Sequence, residues 1–245
     1  MIRIDIIQMS LRQLVGAHRI GLALFLVLCA LLPTMIAFGV LQAENINPGH
    51  VDRDGILSVL FNGFQLPVLF PMIVLILVSL VLREEISNNT ITYLWVKPIS
   101  RASIVISKSL SAVSLALLLA GASTLVTTLM LVPDWTFALN WLVAAVITLL
   151  AYGAFFLALS LYMGRAILVG FFYILVWEAS FSRVSYLAER LSIRFYGENL
   201  ASGLQGRESD VSVAASLVVL LVITVFFLIL SVRRFSAMEF PGDTE

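Results

Sequence analysis

Few residues of this 245-residue chain have the types and spacing that catalysis requires. Its two histidines, His18 and His50, form no His-Glu-x-x-His or comparable metal-binding pattern. The stretch Ser107-Lys108-Ser109 lacks the glycines that let backbone amides approach a phosphate, so it is not a phosphate-binding loop. The serines also have no neighbouring base in the sequence that could activate a nucleophile. We therefore expect neither an ATPase site nor another enzymatic site in this chain, and no cofactor or metal.

Glu178 is the acidic residue that lies inside an apolar run, at the end of Tyr-Ile-Leu-Val-Trp-Glu. Because a carboxylate is poorly solvated in lipid, such a residue usually faces protein or water. One hypothesis is that Glu178 contacts a proton or a substrate in a translocation pathway. The alternative is structural: Glu178 lies at the outer end of a short span, where it caps a helix or pairs with Arg183 or Arg190.

Polar residues and prolines interrupt the second apolar run. Asn62 and Gln65 add amides to it, and Pro67 and Pro71 each remove a backbone hydrogen bond and can bend a helix. A bent, partly polar helix can line a translocation route. It can equally be a buried helix of a bundle whose amides are satisfied by neighbouring helices.

The elements that must position these residues are membrane helices. Hydrophobic residues make up 60% of the chain and charged residues 12%, which lies well outside the composition of soluble domains. The apolar residues form runs of the roughly 20 residues that cross a hydrocarbon core. We predict a single all-α transmembrane domain with six spans, over residues 20–41, 57–82, 104–132, 137–163, 166–181 and 213–232.

The distribution of Lys and Arg predicts the orientation of these spans, since cytosolic loops are enriched in both. Most of them fall on one side: Arg3, Arg12, Arg19, Arg83, Lys97, Arg101, Lys108, Arg165, Arg233 and Arg234. This places both termini and the loop 83–103 in the cytosol of a multi-pass protein of the cell (inner) membrane. The net charge of zero, with no dense basic block, gives no indication of a nucleic-acid partner.

Two amphipathic segments flank the spans. Residues 1–19 carry apolar residues at helical spacing opposite arginines, which predicts a helix in the cytosolic interface, in contact with lipid headgroups. A cleaved signal peptide followed by five spans is the alternative. On the outer side, residues 42–56 are predicted to form a short solvated turn, and residues 182–212 amphipathic or re-entrant helices.

The polar patch 83–103 separates spans two and three. Asn88 or Asn89 can cap a short helix over residues 90–96, because a side-chain oxygen there accepts from the free amides of the first turn. Pro98 ends that helix, since the residue before a proline is disfavoured in helical conformation.

The short helix has an apolar face, formed by Ile91, Leu94 and Trp95 at relative positions i, i+3 and i+4, which we call the apolar ridge. Ser100 can then cap the helix that leads into span three. An apolar ridge on the cytosolic side suits insertion into a groove of a soluble protein. The alternative is a helix that lies on the membrane, with Trp95 and Lys97 as interface anchors.

This patch resembles the ABC-2 permeases, the membrane subunits of ABC exporters. The resemblance lies in the order and spacing of Glu85, Thr90, Leu94, Pro98, Ser100, Arg101 and Lys108. The sequence departs from the family's pattern at Asn89, where a glycine is usual, and at Trp95, where a leucine is usual. Six spans, an amphipathic leader and a helical outer segment before the last span are also similar to that family.

The resemblance implies a permease subunit that forms the translocation pathway as a dimer, with a second copy or a paralogue. Residues 90–101 would be the coupling helix that docks into separate ATPase subunits. ATP and Mg²⁺ would then be bound by that partner, and an accessory protein could join the complex. The alternatives are a self-contained channel or an ion-coupled carrier that uses Glu178, and a membrane scaffold that recruits an ATPase without transport.

Overall fold

The computed structural model describes residues 20–46, 49, 52–87 and 101–237, and every regular element in these ranges is helical. The all-α prediction is therefore confirmed. The predicted leader 1–19 lies outside the described residues. The α-helices are α1 (Ile20–Ile46), α2 (Arg53–Leu60), α3 (Phe70–Ser87), α4 (Arg101–Leu131), α5 (Trp135–Tyr162), α6 (Ala166–Phe172), α7 (Tyr186–Arg190), α8 (Ile193–Leu204) and α9 (Val213–Ser236).

Five stretches among the described residues are long and apolar enough to cross a membrane: Phe25–Ile46, Arg53–Val81, Ile106–Leu131, Trp135–Tyr162 and Val213–Ser236. The predicted span 166–181 is different. Its apolar helix, Ala166–Glu178, consists of the seven residues of α6 and six more in a wider turn. At about 1.5 Å per residue it covers roughly 20 Å, against a hydrocarbon core of about 30 Å. By itself it is too short to span.

The predicted outer turn 42–56 is shorter than expected, because both flanking helices extend into it. Helix α1 continues to Ile46 and α2 already begins at Arg53. Asp52 explains the early start of α2: its side-chain oxygen accepts from the Gly55 amide at 3.0 Å, which satisfies a free donor of the first turn.

Two segments have the wider π-helical turn, in which an amide bonds to the carbonyl five residues before it. The first π segment, Phe61–Leu69, joins α2 to α3 and contains Pro67. A proline lacks the amide of an ordinary helical turn and collides with the carbonyl four residues earlier, so a wider turn accommodates it. The second π segment, Tyr173–Glu178, follows α6 and packs against the first.

Helix α5 is the centre of the bundle and contacts α3, α4, α8 and α9. Its buried faces carry many alanines, which allow backbones to approach closely. Between them Trp141 is fully buried against Phe61, with ring centroids 4.2 Å apart. Helix α1 packs mainly on α4, where the hydroxyls of Thr34 and Thr127 lie 3.2 Å apart. Apolar faces of α1 and α9 remain exposed.

Gly197 is required where α8 packs against α5. A Cβ at this position would lie 2.7 Å from Thr148 Oγ1 and 3.1 Å from Leu66 Cδ2. We expect Gly197→Val to lower the melting temperature by several degrees, since overpacking typically destabilises by about 1–3 kcal/mol. Thermal unfolding in detergent micelles measures this. The control is Gly164→Val, because nothing lies within 4 Å of a Cβ there. Equal losses in both variants would contradict the packing argument.

Candidate functional site

The predicted docking segment lies between α3 and α4. Helix α3 continues to Ser87, and α4 begins at Arg101, immediately after the predicted cap Ser100. Residues 83–87 and 101–103 of the predicted segment 83–103 are thus helical. Its central part, residues 88–100, lies outside the described residues, with the predicted docking residues Thr90, Ile91, Leu94, Trp95, Pro98 and Ser100. Glu85 lies in the last turn of α3, and Arg101 is the first residue of α4.

Glu178 is fully buried at the end of the second π segment, and its carboxylate accepts three hydrogen bonds. The Tyr173 hydroxyl donates at 2.6 Å, the Ile193 amide donates at 3.2 Å, and the Ser192 hydroxyl donates to the other oxygen. Ser192 also caps α8, because its oxygen accepts from the Phe195 amide at 3.4 Å. The carboxylate therefore lies at the N-terminal end of α8, where the helix dipole favours negative charge.

This geometry corresponds to the structural alternative for Glu178, with the helix that it caps now identified as α8. The ion pair with Arg190 does not form in the structure. Arg190 instead donates to the Tyr186 hydroxyl, and its guanidinium carbon lies 4.3 Å from the centre of that ring. The side chain of Arg183 lies outside the part of the chain that the structure describes.

A second polar network centres on Arg194, whose side chain is only 3% exposed. Its guanidinium forms an ion pair with Glu198, lies 3.9 Å from Glu189 and donates to the Ser182 hydroxyl at 3.2 Å. Ser182 in turn donates to the backbone carbonyl of Glu178 at 3.0 Å. Both networks therefore join α8 to the end of the second π segment and the turn that follows it.

Asn62 lines a cavity of about 480 Å³ between the first π segment, α8 and the loop after it. An adjoining cavity of about 570 Å³ shares Asn62 and also contacts Arg194. These volumes are in the range of ligand pockets. Most of the residues that line the first cavity are acidic or polar: Glu189, Glu198, Asn199, Ser202, Glu208, Ser209 and Asp210. Among the residues that the structure describes, no three His, Cys, Asp or Glu side chains are grouped as metal ligands would be.

Gln65 is separate from this cavity. It is 2% exposed, and its amide nitrogen has no hydrogen-bond partner within the described part of the chain. The structure thus places Asn62 in the same cavity wall as Arg194, which Ser182 connects to the Glu178 backbone, and leaves Gln65 buried among helices.

The sequence did not identify Arg194, Ser192 or Tyr173 as members of these networks. Arg194 was expected on an amphipathic surface helix, where a cation would normally face solvent. Two signals in the sequence bear on it. Glu198 stands four residues after Arg194, at the spacing of a helical ion pair, and Ser192 precedes the helix at the position of a cap. No pattern in the sequence indicates that Tyr173 meets Glu178, because a separation of five residues does not bring two side chains together on an α-helix.

The helices and their apolar surfaces define a multi-pass helical membrane protein. The sequence profile described as "ABC-2 family transporter protein" matches residues 17–185, more than half of the chain. The protein belongs to this ABC-2 transporter family, as the patch 83–103 indicated. No curated protein sequence matches the chain. Membrane subunits of this family are in general not enzymes; they associate with ABC ATPase subunits that are separate chains.

Proposed function

We propose that this chain is the permease subunit of an ABC transporter, coupled to separate ATPase subunits through residues 90–101. The observation that carries the proposal is the family match, which includes the whole docking segment. In this proposal ATP and Mg²⁺ are bound by the partner, and this chain uses no cofactor of its own. A chain without a phosphate-binding loop can obtain its driving energy from differential contacts with a partner that has one.

The ends of α3 and α4 support the docking role. These two helices pack against each other, and the docking segment connects them. A movement of the segment would therefore be transmitted directly to spans two and three. The first π segment continues α3 toward the cavity, so the same rigid path leads from the docking segment to Asn62.

We propose six crossings with both termini in the cytosol of a cell-membrane protein. The short helix Ala166–Glu178 would be the fifth crossing, completed on the outer side by the segment that follows it. Exposed apolar residues of that segment support this assignment: Phe181, Val184, Tyr186, Leu187 and Leu191. They would lie in the outer leaflet, as re-entrant or amphipathic helices do. Helix α8 and the cavity would then open to the outside.

The translocation pathway would form between two permease subunits, either two copies of this chain or this chain and a paralogue. Helices α1 and α9 expose apolar residues such as Leu28, Met35, Val222 and Phe226, which must meet lipid or a second subunit. Asn62 is our candidate for a pathway residue, because it lines the cavity. Gln65 would contribute only if the bundle opens. Glu178 would act in gating, through α8.

Co-expression with a candidate ABC ATPase from the same genome tests this function. We expect a stable complex with ATPase activity that depends on this chain, and substrate flux in liposomes only when the ATPase is present. Ion-driven flux in liposomes holding this chain alone, lost in Glu178→Gln, would instead establish the carrier. A stable complex without any flux or effect on ATP hydrolysis would favour the scaffold.

A further inference from the structure

The hydrogen bond between Tyr173 and Glu178 exists only because the helix is widened. The two residues are five apart, and they begin and end the second π segment. A π turn has more than four residues, so positions i and i+5 come close to the same face. In an α-helix each residue turns about 100°, which places positions i and i+5 about 140° apart. The 2.6 Å bond therefore depends on this turn.

The same carboxylate holds the first turn of α8. Ser192 and the Ile193 amide donate to it, although both belong to a helix that starts well after the π segment. If the π segment tightened into an α-helical turn, Glu178 would rotate away from Tyr173. It would then no longer accept from the start of α8. One change of local helix geometry would remove all three hydrogen bonds together.

The other end of α8 is attached to a different helix. The Asn140 side chain donates to the Leu204 carbonyl at 2.8 Å, and the Gln205 side chain donates to the Phe137 carbonyl at 3.2 Å. Phe137 and Asn140 belong to α5. Loss of the Glu178 contacts would consequently loosen the N-terminal end of α8, where the Arg194 network would be the remaining polar attachment, while its C-terminal end stays bound.

We propose that Tyr173, Glu178 and Ser192 form a latch that holds the N-terminal end of α8 against the second π segment. When this segment tightens into an α-helical turn, the N-terminal end of α8 moves away from it, and α8 pivots about its C-terminal end. Glu178 is a positioning residue in this device. The latch is a property of the fold and does not depend on the proposed transport function.

Amide hydrogen exchange on the full-length chain in lipid nanodiscs tests the latch. The variants are Tyr173→Phe and Ser192→Ala, each of which removes one donor to Glu178. Ser192→Ala also removes the cap of α8, so Tyr173→Phe is the variant that tests the latch by itself. We expect exchange to rise about tenfold for residues 193–197, since a hydrogen bond to a charged group contributes at least that factor. Exchange for residues 201–204 and for the core of α5 should be unchanged.

Tyr196→Phe is the matched control. Tyr196 lies in α8 itself and is not one of the three donors to Glu178, so exchange should not change. Ser192→Thr keeps the hydroxyl and should retain the protection of the unaltered chain. Unchanged exchange for residues 193–197 in Tyr173→Phe would overturn the proposal. An equal rise along the whole of α8, or throughout the bundle, would overturn it as well, because it would indicate general destabilisation and no pivot.

Discussion

Leu94→Asp is expected to abolish co-purification of this chain with its ATPase partner. Leu94 is the middle residue of the apolar ridge predicted for residues 90–96. In a docked complex the new carboxylate would be buried in an apolar groove without a partner. Central apolar anchors of interfaces typically contribute about 2 kcal/mol or more, so we expect at least a 30-fold loss of affinity. Pull-down from detergent-solubilised membranes, with ATPase assays of the co-expressed subunits, measures the effect.

Tyr93→Asp is the matched control for this experiment. It introduces the same carboxylate in the same short segment, but Tyr93 is one or two residues away from Ile91, Leu94 and Trp95 and so lies off their face. We expect it to retain the complex, and Leu94→Met to retain it too because volume and polarity change little. If Leu94→Asp leaves association and ATP hydrolysis intact, the ridge is not the docking face. If Tyr93→Asp is equally disruptive, the segment does not dock as a helix.

Arg194→Met should be the most destabilising substitution in the cavity wall. Removal of one partner from a buried ion pair costs about 3–5 kcal/mol, because the remaining charges lose their compensation. Here Glu198 and Glu189 are 18% and 34% exposed, so water solvates them in part and we expect the lower end of that range. The corresponding fall in melting temperature is roughly 6–12 °C for a chain of this size.

Two further variants isolate the cause of this loss. In Arg207→Met the lost contacts are the ion pair with Asp54 at 3.6 Å and the hydrogen bond to the Ser58 hydroxyl. The two charged side chains are 34% and 57% exposed and water solvates both, so we expect a change of about 1 kcal/mol, well below that of Arg194→Met. In the double variant Arg194→Met, Glu198→Leu, the unpaired carboxylate is removed as well, and stability should partly recover. If the double variant is no more stable than Arg194→Met, the unpaired charge is not the cause of the loss.

The positions of the long helices were predictable from the sequence, because runs of apolar residues and their charged ends determine them directly. The exact ends of the helices were harder to predict. Asp52 starts α2 four residues before the predicted span, since a cap depends on one hydrogen bond that hydropathy does not include. The π segments could not be placed. Pro67 indicates a bend, but a wider turn is one of several ways to make one.

The surroundings of the charged residues could not be predicted from the sequence, because they depend on tertiary contacts. Glu178 was recognised as exceptional, and the helix that it caps begins fifteen residues later, which no local pattern specifies. Arg194 has the sequence context of a surface cation, but in the structure its side chain is buried and donates to Ser182 in the turn after the second π segment. The docking residues remain predictions from the motif and from the family match, because they lie outside the described residues.

The shortness of the helix Ala166–Glu178 has a consequence for the surrounding bilayer. A hydrophobic length of roughly 20 Å beside neighbours that extend much further creates a mismatch along one side of the protein. Either the bilayer is locally thinner there, or the exposed side chains of Phe181, Leu187 and Leu191 supply the missing hydrophobic length. The position of α8 relative to the headgroups would then vary with acyl-chain length. The lipid composition of the membrane would in this way act directly on a helix that lines the cavity.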